Sequence, residues 1–144
     1  MNHPVVNKPK TYLPIVVYPS DSIFIRAEGC VQTGGSGRTW KRYVNPSGSD
    51  SDRLYHGQIQ IPGVIESLTF LSDLIGNGSW SRRFIVSSGN TFPGFIAIGY
   101  TDDDYDDNGY YSHDDGTENQ CRENIDAYLD IYVCRANPVN GPTC

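Results

Sequence analysis

Apolar and polar positions alternate along this chain in short runs, separated by turn-forming residues every 8 to 12 positions or so. The first run covers 12–18 and stops at Pro19-Ser20-Asp21. The second covers 22–28 (S-I-F-I-R-A-E) and stops at Gly29; the two read together as a hairpin. Further strands are predicted over 38–44, 58–61, 65–71, 83–86, 92–100 and 127–133, with loops at Gly34-Gly-Ser-Gly, Asn45-Pro-Ser-Gly and Gly76-Asn-Gly. Residues 68–74 carry an alternative reading as a helical turn. Many short strands with frequent turns argue for an all-β chain folded as an antiparallel β-sandwich or jelly roll. The organisation that follows is an irregular lead-in over 1–11, one sandwich domain over 12–135 and a tail over 136–144.

Composition agrees with this reading. The 144 residues include 15 Gly, 9 Pro, 10 Tyr, 5 Phe and only 1 Met, which suits turns and sheets and disfavours a helix bundle. The length fits one domain. No apolar run approaches the 18 or so residues a membrane-spanning helix needs, and apolar residues recur too evenly for disorder.

The cysteines are Cys30, Cys121, Cys134 and Cys144, widely spaced and with no C-x-x-C pair. That spacing disfavours zinc and fits two disulfides in a secreted, periplasmic or cell-surface protein, although the N-terminus has no signal-peptide architecture. Three pairings are open. Cys134 with Cys144 is the favoured one, since it would pin the Pro/Gly-rich tail to the last strand.

Charge is distributed unevenly. Residues 1–100 carry 9 Lys+Arg against 6 Asp+Glu; residues 101–144 carry 2 Arg against 11 acids. An overall net charge of -6 with no basic stripe argues against nucleic acid as a partner. The acidity concentrates in T-D-D-D-Y-D-D-N-G-Y-Y-S-H-D-D-G-T-E, where 8 acids fall between Asp102 and Glu118. Carboxylates this dense repel one another unless a cation neutralises them or they splay into water. A hard, oxygen-seeking ion such as Ca2+ suits the composition. Asp104-x-Asp106-x-Asn108-Gly109, followed after five intervening residues by Asp115, follows the spacing of an EF-hand loop, though here strands flank it. A solvated acidic loop without an ion is the alternative. His113-Asp114-Asp115 suggests either a second ion or ordinary surface.

Two segments, I-V-V-Y-P-S-D-S-I-F-I-R-A-E-G-C (15–30) and G-Y-T-D-D-D-Y-D-D-N-G (99–109), give the chain a resemblance to the PA-IL family of bacterial galactose-binding lectins, which are small calcium-dependent β-sandwiches. The resemblance implies that Asp102 bridges calcium and sugar, that Asp107 and Asn108 stand for the family's paired amides, and that Thr33 and Tyr105 lend backbone carbonyls. It also implies that His56 and Gln58 read the sugar. Thr33 replaces an aromatic, Asp107 replaces Asn, and 110–124 is an insertion carrying Cys121; these departures bear on sugar identity more than on calcium.

Three function classes follow. The first is a calcium-dependent carbohydrate-binding protein, with a galactoside or related glycan as ligand, Tyr105, Tyr110, Tyr111 and Trp40 as candidate stacking rings, and a homo-oligomer as one possible assembly. The second is an interaction, inhibitor or immunity module in which calcium is structural. The third, an enzyme, is disfavoured: Ser112-His113-Asp114 are chain neighbours rather than a converging triad, and no G-x-S-x-G elbow is present.

Overall fold

In strand β2 (Ser22–Glu28), Ile23, Ile25 and Ala27 are fully buried while the residues between them are half-exposed, so one face of the strand belongs to the core. The computed structural model describes residues 3–35, 37–48, 51, 53–87, 93–111, 121–122, 125–141 and 143–144. The other strands are β1 (Thr11–Val17), β3 (Cys30–Gln32), β4 (Trp40–Arg42), β5 (Gly57–Ile61), β6 (Ile65–Phe70), β7 (Phe84–Ile85), β8 (Gly94–Tyr100) and β9 (Tyr128–Cys134). They form antiparallel sheets of order β1-β8-β5-β6, β7-β2-β9 and β3-β4.

The two larger sheets bury their apolar faces in one common core. Ile59 and Ile61 of β5 and Ile96, Ile98 and Tyr100 of β8 meet Ile23 and Ile25 of β2 and Leu129 of β9 in a single cluster. Each fully buried Ile contributes about 1.5–3 kcal/mol of hydrophobic stabilisation. The architecture is a sandwich. A 3-10 turn at Leu71–Asp73 follows β6, within the stretch that also read as helical.

The predicted β1–β2 hairpin is corrected. β1 pairs with β8, while β2 pairs with β7 and β9, so the Pro19-Ser20-Asp21 turn crosses from one sheet to the other. Asp21 makes this corner. Its carboxylate is buried, accepts from the Tyr18 N–H at 2.8 Å and the Ala136 N–H at 3.1 Å, and pairs with Arg135 at 2.6 Å. These bonds satisfy a turn that a hairpin ladder would otherwise satisfy.

Both disulfides form, Cys30–Cys121 and Cys134–Cys144, and no cysteine is free among the described residues. Cys134–Cys144 holds the tail to the end of β9, the favoured pairing. No helix among the described residues is long and apolar enough to cross a membrane.

Candidate functional site

Strand β3, three residues long and not apparent in the sequence pattern, holds the acidic segment at Gly109 and the chain that follows it at Cys121. At one end Gln32 and Gly109 exchange backbone hydrogen bonds, both 2.9 Å. At the other, Cys30 is bonded to Cys121, its N–H donates to the Ile125 carbonyl at 3.0 Å, and its carbonyl accepts from the Ala127 N–H at 2.9 Å. Trp40 packs on this disulfide. The two anchor points, Gly109 and Cys121, are thus held to residues two apart on one strand, a spacing of about 6.6–7 Å.

Among the described acids of the segment, Asp102 is the most deeply placed, 9% exposed. Its Oδ1 accepts from the N–H groups of Asp103 at 2.7 Å and Asp104 at 3.2 Å, an Asx-type turn that fixes the carboxylate. Its Oδ2 is buried and has no hydrogen-bond partner; the same holds for Oδ1 of Asp107 and Oδ1 of Asn108. Buried polar atoms in a native fold are ordinarily paired, so three unpaired oxygens within seven residues make this turn the candidate place for a bound group. Burial pushes the Asp102 carboxyl up to about 6, and the Asp103 side chain adds to this; the Asp103 and Asp104 backbone N–H groups and Asn108 oppose it. Asp107 is raised as well, first by burial and then by the charges of Asp104, Asp103 and Asp106.

Neighbouring segments close around these oxygens. Asn108 donates its amide to the Val6 carbonyl at 2.7 Å, and the Tyr110 hydroxyl donates to the Pro4 carbonyl, so residues 4–6 strap the turn. Gly35 (φ +71°) packs against Asp107 so closely that a Cβ there would lie 3.3 Å from the Asp107 Cβ. Thr33, two residues earlier, is buried and hydrogen-bonded to the Thr39 carbonyl through both its N–H and its hydroxyl. Gln32 is 2% exposed, and its Oε1 is also without a hydrogen-bond partner. Sequence reading did not single out Gln32, Val6 or Pro4; no acid or motif marks them, and only the pairing of β3 with Gly109 brings Gln32 there.

The remaining predicted residues are placed as follows. Asp104 and Asp106 are exposed, and Asp104 Oδ1 accepts from the Asp106 N–H at 3.0 Å. Tyr105 folds back so that its hydroxyl donates to the Tyr100 carbonyl at 2.8 Å. His56 reaches the segment through its backbone, whose carbonyl accepts from the Thr101 N–H at 2.9 Å; its ring is buried and stacked on Phe70 at 4.3 Å. Gln58 pairs with Gly99 in the β5–β8 ladder, and its Oε1 lies over that glycine. Asp115, His113 and Asp114 lie outside the described residues.

Of the stacking rings, Trp40 is fully buried and is thereby removed from that role, because the disulfide and β3–β4 enclose it. Tyr110 is half-buried and stacks on His3 at 4.5 Å. Tyr111 stands 86% exposed beside Gly109.

Among the described residues no three His, Cys, Asp or Glu side chains converge to hold a metal. The available donor set is therefore two carboxylates and an amide oxygen, supplemented by backbone carbonyls, a mixture that fits a hard cation and not zinc or copper. Comparison with protein-family models, curated proteins and solved structures found no match.

Proposed function

We propose that this chain is a non-catalytic, calcium-dependent carbohydrate-binding protein. In this reading Asp102, Asp107 and Asn108 hold Ca2+, helped by carbonyls from Thr33 and Tyr105. The observation that carries it is the set of three buried, unpartnered oxygens in one acidic turn. A bound cation would pair them and remove the cost of burying the Asp102 charge. Vicinal hydroxyls of a pyranose would then complete the ion's shell, since Ca2+ takes six to eight oxygen ligands. Tyr111, exposed at the edge of the turn, is the available ring for the apolar face of the sugar. A galactoside is the first ligand to test, and the disulfides suit a secreted, periplasmic or surface location.

A second reading is supported by one observation. The His56 ring is buried against Phe70 and Gln58 lies over Gly99, which leaves fewer polar groups to read a sugar. Calcium would then serve only to rigidify the loop of an interaction module.

Titration calorimetry with calcium, followed by a glycan array in calcium and in EDTA, tests both. Calcium binding with EDTA-sensitive glycan binding, roughly 10 micromolar to millimolar per site, supports the lectin. Calcium binding without any glycan selects the structural module. No calcium binding at millimolar concentration removes both. Asp102→Ala should abolish calcium and sugar binding together, whereas Tyr111→Ala should weaken sugar and spare calcium.

A further inference from the structure

The face of β2 turned away from the core forms rows with β9. Phe24 stands opposite Tyr132, Arg26 opposite Asp130 and Glu28 opposite Tyr128. Two of these rows are satisfied internally: Arg26 pairs with Asp130 at 2.8 Å, and the Tyr128 hydroxyl donates to Glu28 at 3.0 Å. The Phe24–Tyr132 row is open. Ser81 is bonded to Ile25 through its N–H at 2.8 Å and through its hydroxyl oxygen at 3.0 Å, which stands Trp80 beside that row. Phe24, Trp80 and Tyr132 line a depression of about 330 Å3, with Trp80 49% and Tyr132 55% exposed.

Cations edge this depression. The Arg26 guanidinium lies 4.8 Å from the Trp80 ring centre and that of Arg83 5.8 Å from Phe24. Arg26 is already paired with Asp130; Arg83 makes no ion pair among the described residues. An aromatic cage for a quaternary ammonium is disfavoured by these guanidinium charges, which would repel it. Exposed rings beside an unpaired guanidinium instead suit a ligand with an apolar ring face and an anionic group. We infer that Phe24, Trp80 and Tyr132 with Arg83 form a second, calcium-independent site for a carboxylated pyranose, such as a uronic acid residue of a glycan. The C–H face of the sugar stacks on Trp80 and Tyr132, the carboxylate meets Arg83, and ring hydroxyls reach the Arg26–Asp130 pair.

Trp40 is fully buried, so a ligand-induced change in tryptophan emission at the surface reports on Trp80. The test is emission titration in EDTA with tetragalacturonic acid, and with a neutral galactose tetrasaccharide as control. EDTA keeps the outcome independent of the acidic turn. A saturable change with the acidic probe is expected below about 10 mM. Trp80→Phe keeps a ring and should retain binding by calorimetry, Tyr132→Ala should weaken it, and Arg83→Met should weaken the acidic probe about tenfold while leaving the fold intact by circular dichroism. An absence of saturable response, an equal response to the neutral sugar, or a sugar-independent emission change that tracks dimerisation would each overturn the assignment.

Discussion

The side-chain amide of Asn108 donates to the carbonyl of Val6 at 2.7 Å, and this bond decides which of its atoms remains for the acidic turn. With the NH2 group held by the strap, Oδ1 is left buried without a hydrogen-bond partner. The N-terminal strap and the candidate cation site are thereby coupled through one planar group. Asn108→Ala should remove both interactions, lowering calcium affinity tenfold or more and costing about 1–2 kcal/mol of stability without calcium. Asn108→Asp keeps an acceptor for the ion but sets a carboxylate against the Val6 carbonyl. It should destabilise the calcium-free protein yet retain calcium binding. Calorimetry and thermal melts with and without EDTA separate the two variants; loss of calcium binding in both would break the proposed coupling.

The pH dependence of stability should change sign with calcium. In the calcium-free fold, burial raises Asp102 from 3.8 to about 6, so the native state binds its proton more tightly than the unfolded chain does. The contribution of this group to stability therefore grows as pH falls through about 6, and levels off below 3.8. With calcium bound, the native state favours the carboxylate, and acidification instead costs stability as protons displace the ion. Melts in EDTA and in calcium at a series of pH values between about 7 and 4 check this; parallel slopes in the two buffers would mean that Asp102 is not a ligand.

Much of the fold was legible because its strands alternate. The β2 prediction over 22–28 matches Ser22–Glu28, and 58–61 and 65–71 lie within one residue of Gly57–Ile61 and Ile65–Phe70. Partners were not legible. Pro19-Ser20-Asp21 has the composition of a hairpin turn, and only long-range pairings, β1 with β8, β2 with β9 and Asp21 with Arg135, show that the chain changes sheets there. Strand β3 was missed because its three residues are all buried and show no alternation. The acidic segment announced itself through charge density, but which oxygens face inward is set by turns, by Gln32 and by the strap, none of which carries a charge signal.

The corner at Asp21 should be a principal determinant of stability. Its side chain is 1% exposed, takes one bond from Arg135 at 2.6 Å and two from backbone N–H groups, and Arg135 also donates to the Val16 carbonyl at 2.7 Å. Removing one partner strands the other. Asp21→Ala is expected to cost about 3–5 kcal/mol by chemical denaturation, and Arg135→Met somewhat less, since the two backbone donors to Asp21 remain. A double-mutant cycle with additive losses would show that the pair is not coupled.

The two disulfides should differ in what they do for the candidate site. Chain-entropy arguments give about 4.5 kcal/mol for a crosslink spanning 91 residues and about 3 kcal/mol for one spanning 10, so Cys30–Cys121 is expected to be the more stabilising of the two. Position separates them further. Cys30–Cys121 ties the far end of the acidic segment to β3, the strand that also holds Gly109 through Gln32, whereas Cys134–Cys144 only pins the tail to β9. The paired variant Cys30→Ala with Cys121→Ala should therefore lose stability and weaken calcium binding, because the segment must be ordered at the moment the ion binds. Cys134→Ala with Cys144→Ala should lower stability alone. Calcium titrations at a temperature where both variants remain folded decide the matter: equal calcium affinity in the two would show that the β3 anchor does not preorganise the turn.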